Sequence, residues 1–433
     1  MKINRKILWL ALGLIFFWAV PAGADTGGAV SPADTAWLLV STALVMLMTP
    51  GLALFYGGML RRKNVLGTIM QSFFILCLIG IEWVLWGYYM SFGPDQGGVV
   101  GDLVRLGTSL AGLEPRGTVP GFAFIMFQGM FAIITVALIS GAVAERMKFS
   151  AFFIFSLIWS TLVYNLLCHW VWGGGWLMQL GFLDFAGGAV VHISSGVSAL
   201  VAAILIGKRK GYPEKVVRPH NLTMTVLGTA LLWFGWFGFN AGSAIVSGGL
   251  ASLAFANTFL SAAAAGLIWV FIDWARTGKP TVLGICSGAI AGLAGVTPAA
   301  GFVSPNSAII IGMIAAIICY YGVSILKPRL GYDDTLDVFG IHGLSGTWGV
   351  FAVGLFASKS ANSAGADGLF FGNPGQLLIQ IVGIAATWIL AGVVTYGVLK
   401  ILDAVMKLRV SEEEEEIGLD LTQHSESAYT ILE

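Results

Sequence analysis

Apolar residues in this chain do not alternate with polar ones at the spacing of a soluble helix or strand. They run in blocks of about 20, the length that a bilayer core demands of a crossing helix. Eleven blocks follow the first 24 residues, at roughly 36–58, 66–90, 120–144, 149–171, 185–206, 221–241, 252–275, 281–299, 306–326, 337–357 and 376–402. The pattern predicts an all-α membrane protein of eleven transmembrane helices.

The start reads differently. Lys2, Arg5 and Lys6 precede a short apolar run over 7–20, which ends in Pro21 and Ala22-Gly23-Ala24. A basic start, a short apolar core and a small-x-small exit describe a secretory signal peptide over 1–24, with Asp25 as the first mature residue on the outer side. An uncleaved first helix is the alternative reading. The rest divides into an eleven-span body, 25–409, and a tail, 410–433.

Composition agrees with the pattern. The chain of 433 residues is 57% hydrophobic and 11% charged, with a mean hydropathy of +0.84; a soluble protein carries about 25% charged residues. The formal net charge is zero, so nothing attracts nucleic acid, and the lipid bilayer is the expected surround. Arg105, Arg116 and Lys359 are the basic residues after even-numbered blocks, and three more lie in the leader. The other 17 fall after odd-numbered blocks or at the C-terminal end. Basic residues stay inside, so the odd-side loops and the tail are expected in the cytoplasm. Cys77, Cys168, Cys286 and Cys319 all fall within blocks with no Cys-x-x-Cys spacing, and read as packing thiols.

Two motifs break the apolar background. "FAGGAVVHISSG" (185–196) and "VFGIHGLSG" (338–346) both contain His-x-x-Ser-Gly, with His192 in the fifth block and His342 in the tenth. Five blocks apart, the two helices cross the membrane in opposite directions, as an inverted 5+5 repeat produces. Transporters of that build place their substrate site near the midplane, between the repeats. Ionisable side chains in the hydrocarbon are costly and normally face an interior path. The plainer alternative is that each imidazole bonds a backbone carbonyl, with the glycines nearby allowing close helix packing.

Aromatic residues cluster near the outer ends. "HWVWGGGW" (169–176) closes the fourth block; "FQGMF" puts Phe127 and Phe131 on one helix face, and "WFGFNAGS" does the same for Phe239 and Ser243. Taken singly, the tryptophans read as interfacial anchors and the phenylalanines as core or lipid-facing. Taken together they suit a small cation: aromatic faces attract it, and a serine hydroxyl accepts a hydrogen bond from its N–H. No acidic ring suggests a metal-cation filter. Ammonium fits, because it can shed a proton before neutral-capable imidazoles. A metalloenzyme would need a third ligand that the spacing does not supply, so no metal, cofactor or catalytic residue is expected.

With "DFAGGAVVHISSG", "GWFGFNAGSA", "GKPTVLGICSGAIAGLAGVTPAAG", "DVFGIHGLSG" and the tail "EIGLDLTQHSESAY", the chain resembles an ammonium transporter of the Amt/Mep/Rh family, bacterial Amt type. The resemblance covers nearly all of the chain after residue 24. It implies a homotrimer in the cytoplasmic membrane, each subunit with its own pore for ammonium or ammonia and methylammonium as analogue. By motif position Phe127, Trp172 and Ser243 resemble the external recruitment site, Phe131 and Phe239 the phenyl gate, and His192 and His342 the pore histidines. Asp184 resembles the family aspartate needed for transport, and also reads as a helix cap; Trp236 and Thr297 match positions near the pore. A PII-class regulatory protein is the implied cytoplasmic partner, with a landing surface around 207–218, Lys327, Arg329, Asp333, Asp334 and the tail. The acidic run 412–416 reads on its own as a solvated linker. A sensor signalling through the tail is the alternative function.

Overall fold

The computed structural model describes residues 30–104, 113–214 and 218–429. The expected signal peptide, Arg105 and Lys215 lie outside the described residues. Within them every regular element is helical, and β-structure is limited to isolated bridges.

Among the described residues ten helices are long and apolar enough to cross a membrane: α1 (Pro32–Met59), α2 (Arg62–Phe92), α3 (Gly121–Val143), α4 (Phe149–Leu180), α5 (Gly188–Ile206), α6 (Leu222–Gly242), α7 (Gly249–Thr277), α9 (Pro305–Leu330), α10 (Phe339–Phe356) and α11 (Pro374–Met406). The eighth block, expected over 281–299, forms a shorter helix, α8 (Val282–Val296). Thr281 caps its start, its hydroxyl accepting from Gly284 N at 2.9 Å. It stops before Pro298, which has no N–H to give. The turn that follows is buried in the bundle, and Asn257 Nδ2 donates to Ala300 O (2.9 Å) and Val303 O (2.8 Å). Irregular backbone at membrane depth survives only where protein satisfies it in this way.

α3 is almost wholly buried and forms the centre of the bundle, whereas the 33-residue α11 is largely exposed along one side. At 1.5 Å per residue α11 is about 50 Å long, so it must tilt or project beyond a hydrocarbon core of about 30 Å.

The inverted repeat is visible in the packing. α1 makes its broadest contact with α6, five helices on, and α5 crosses α10 near the middle. That crossing is antiparallel: the α-carbon of Gly196, late in the α5 motif, lies against Gly343, while Gly346 lies against Gly188 and His192. Both helices open with a π-helical turn, Gly188–Ile193 and Phe339–Gly343, and the preceding pair, α4 and α9, also match in having one, Ser160–Tyr164 and Gly322–Leu326.

On the face holding the 60–64, 144–148, 207–214 and 331–338 connections, buried charges tie the loops together. Arg209 Nη2 meets Asp333 Oδ1 at 2.8 Å, and Glu145 Oε2 meets Arg61 Nη2 at 2.7 Å and Arg209 Nη1 at 3.3 Å. Burial pushes Glu145 and Asp333 up, but the guanidiniums overcome it and hold both carboxyls below their usual range. The acidic run departs from the solvated linker expected of it: it forms α12 (Glu412–Ile417), opened by a capping box on Ser411. Glu415 is buried, accepting from Arg409 Nη2 at 2.6 Å and from Lys210 N at 2.7 Å. In α13 (Leu419–His424) the Asp420 carboxylate accepts from Gly67 N at 2.8 Å, docking the tail on α2. Asp333 and Asp334 are buried as well, so they cannot be part of an exposed landing surface.

Candidate functional site

The candidate residues converge from five helices into one column of rings. Phe127 and Phe131, one turn apart on α3, are buried with centroids 5.0 Å apart. Phe131 meets Trp172 of α4 edge-on at 6.1 Å and Phe239 of α6 at 4.3 Å. Phe239 leads to His192 at 6.1 Å; Trp236 stacks on His192 at 5.4 Å, and His192 on His342 at 5.2 Å with the planes 19° apart.

At one end of the column, Trp172 and Ser243 are partly exposed. Trp172 Nε1 donates to Asp184 O at 2.8 Å, which fixes the indole over the start of α5. Ser243 Oγ donates to Phe239 O at 2.8 Å, so its lone pairs face outward to accept. Phe127 lies beside it, since a side chain at Gly242 would reach within 2.9 Å of the Phe127 ring. Three cation-attracting or accepting groups thus surround one end, and Phe131 with Phe239 closes the way below. Trp236 Nε1 donates to Thr297 Oγ1 at 3.0 Å, and that hydroxyl donates to Leu293 O, so Thr297 anchors the indole that backs His192.

Below the phenyl pair runs a slot with about 10 Å³ of space for the centre of a water-sized molecule, close to the least that one water needs. Leu52, Phe55, Ile134, Leu138 and Ile290 line it; with the Trp236 N–H taken up by Thr297, its free polar groups come from the two histidines. His192 Nδ1 and His342 Nδ1 are 3.2 Å apart. A hydrogen bond there needs one proton on the pair of Nδ1 atoms, donated by one ring and accepted by the other. His192 Nε2 is buried without a protein partner, and is left to a molecule in the slot. Further along, a wider cavity of about 220 Å³ shares Phe55 and Ile290 with the slot and is lined by Asp273, Ser287, Ser324 and Asp337.

The histidines are aimed by carboxylates. Asp184 Oδ1 accepts from Gly187 N (2.9 Å) and Gly188 N (2.7 Å), and Oδ2 from Ala189 N (2.8 Å) and Val190 N (3.3 Å). One side chain therefore satisfies the orphan amides that open α5. Asp334 sits at the matching place before α10 with a single such bond, accepting from Phe339 N at 2.8 Å. Burial pushes the Asp334 carboxyl up to about 6, and its Oδ1 is without a partner. Each aspartate precedes its histidine by eight positions. Sequence reasoning picked out Asp184 and missed Asp334 as its counterpart, although the equal spacing was there to be read.

Comparison with known proteins points one way. Residues 36–429 match the sequence model of the Ammonium Transporter Family. A Bacillus subtilis ammonium transporter is 54% identical over 399 residues, covering 92% of this chain and 98% of that protein. The crystal structure of Candida albicans Mep2 superposes with a TM-score of 0.85 at 38% identity, over 90% of this chain and 89% of that one. A solved structure described as a sensor Amt protein also superposes at 0.85, with 29% identity over 90% of this chain and 98% of its own.

Proposed function

Since the chain belongs to the ammonium transporter family, we propose that it captures ammonium at the outer aromatic cluster, where its proton passes to water at that partly exposed end, and conducts ammonia past the histidine pair. The chain is a multi-pass membrane transporter of ammonium and not an enzyme. The finer mechanism rests on one observation: an apolar slot about one water wide whose polar lining is two imidazoles 3.2 Å apart.

The energetics favour that order of events. Trp172 and Phe127 offer π faces, worth up to about 2 kcal/mol to a desolvated cation, and Ser243 offers an acceptor. The slot beyond cannot replace the shell of an intact cation, and stripping a charge without compensation costs many kcal/mol. Ammonia crosses at far lower cost and finds His192 Nε2 as a partner. Potassium has no proton to lose and stops at the phenyl pair. In this reading the tail and the basic loops face the cytoplasm, three copies assemble, and a PII-class protein docks on the exposed part of the 207–218 loop and the tail.

The test is uptake of labelled methylammonium into proteoliposomes, with potassium as competitor. Saturable uptake that potassium does not inhibit supports transport. Absence of uptake by correctly folded protein would favour the sensor reading instead. Pull-down of a PII protein with and without residues 411–433 tests the partner separately.

A further inference from the structure

The outer site as described needs Phe127 and Ser243 side by side, yet they come from α3 and α6, helices from different halves of the repeat. A carboxylate outside that set joins the two. Asp34, in the first turn of α1, is buried. Its Oδ2 accepts from Thr118 Oγ1 at 2.6 Å, in the segment leading into α3. Its Oδ1 accepts from both the amide and the hydroxyl of Ser247, each at 2.8 Å, in the turn between α6 and α7. Ser31 completes the junction: Oγ accepts from Asp34 N at 3.2 Å, and its amide donates to Thr118 O at 2.8 Å.

That turn would not hold its shape unaided. Ile245 is β-branched and has φ +63°, a left-handed conformation that such residues rarely adopt and that persists only where surrounding contacts over-determine it. Ile245 N bonds Gly242 O at 2.8 Å, so the strain sits directly after the α6 end that bears Ser243. Beyond it, Ser247 is gripped twice by Asp34.

We propose that Asp34 is a positioning residue for cation capture, a clip that holds the Ser243-bearing turn of α6 against the Phe127-bearing start of α3. This rests on the recruitment reading above. Its role is as an acceptor: Oδ1 of an asparagine would still take both Ser247 bonds, and the Thr118 hydroxyl can turn to accept from the new amide.

The experiment is the concentration dependence of labelled methylammonium uptake in proteoliposomes for Asp34→Ala, Asp34→Asn, Ser243→Ala, and the Asp34→Ala/Ser243→Ala double variant. Asp34→Ala is expected to raise the half-saturating concentration about tenfold while leaving the maximal rate near wild type, the signature of lost binding alone. Asp34→Asn should restore most of the affinity. With Ser243 already removed, Asp34→Ala should add little, because the two act as one unit; a merely structural lesion would add its full effect. Should Asp34→Ala fail to reach the membrane, Ser247→Ala, which deletes one of the two grips, is expected to shift half-saturation about threefold in the same direction.

Unchanged half-saturation in Asp34→Ala beside a weakened Ser243→Ala would overturn the clip and leave the recruitment site standing. So would an Asn variant as weak as the Ala variant, or full additivity in the double variant. Wild-type half-saturation in Ser243→Ala itself would overturn the recruitment site, and the clip with it.

Discussion

Gly196→Ala puts the α5–α10 crossing to the test. A methyl group at Gly196 would lie 2.3 Å from both Cα and N of Gly343. Those are backbone atoms, and no rotamer change moves them aside. Moving from 2.3 Å to the 3.4 Å of an ordinary contact opens the crossing by about 1.1 Å. If the histidines follow their helices, their 3.2 Å contact becomes roughly 4.3 Å, past the reach of a hydrogen bond. Overpacking costs about 1–3 kcal/mol, and alanine returns about 1 kcal/mol in helix propensity, so net destabilisation stays small. The expected result is a variant that folds, melts within a few degrees of the wild type, and has lost most of its methylammonium uptake or its exclusion of potassium. Gly57→Ala is the control, since the nearest atoms to its new methyl are 3.6 Å away; it should transport normally. Wild-type rate and selectivity in Gly196→Ala would refute the argument that this contact sets the histidine geometry.

Three further outcomes follow from the site and the charged loops. Trp172→Leu keeps apolar bulk but removes the π face and the bond to Asp184 O; half-saturation for methylammonium should rise severalfold, and unchanged half-saturation would reduce Trp172 to an anchor. His342→Ala and His192→Ala each empty half of the slot's polar lining, and should abolish uptake or its selectivity over potassium while leaving the solubilised protein monodisperse by size-exclusion chromatography. For pH the signs differ by group. Glu145 and Asp333 titrate below their ordinary range when folded, so their contribution is present above that range and lost as pH falls through the folded values. Asp334 titrates at about 6 rather than 3.8; between those values the folded chain keeps a proton that the unfolded chain has released. It therefore costs stability as pH rises through that window, on the order of 2–3 kcal/mol in all. Thermal melts of Asp334→Asn between pH 4 and 6 should lack that decline, and a decline equal to the wild type's would refute the assignment.

Much of the bundle was legible because lipid imposes a blunt rule of about 20 apolar residues per crossing. The eighth helix escaped that rule: Pro298 ends it early, and Asn257 from α7 satisfies the turn that follows. The ring column was legible as motifs, each phenylalanine or histidine spaced on its own helix, but no spacing says that Phe131 and Phe239 lie 4.3 Å apart. Ser31 and Asp34 read locally only as the capped start of α1, since the partners of the Asp34 carboxylate are 84 and 213 positions away. The five glutamates at 412–416 look like a solvated face by composition, and only Arg409 and the Lys210 amide single out Glu415 as the buried one.

The π-helical turn that opens α5 also separates two angular settings along one helix. His192 N bonds back five residues to Gly187 O at 3.1 Å, so the turn holds one residue more than an α-turn would. Each residue advances a regular helix by about 100°. A π-turn spreads that extra residue over about the same angle, so the helix beyond it continues on the face that an uninterrupted helix would have, while His192 sits inside the wider turn and is offset in angle from Gly196. Deleting a single residue from 189–191 would let the turn relax to regular helix, leave the face beyond it about where it is, and remove the offset between His192 and Gly196. The imidazole and the glycine can hold both stations because that one-residue offset lies in the same segment of chain, and α10 carries a matching one at Phe339–Gly343.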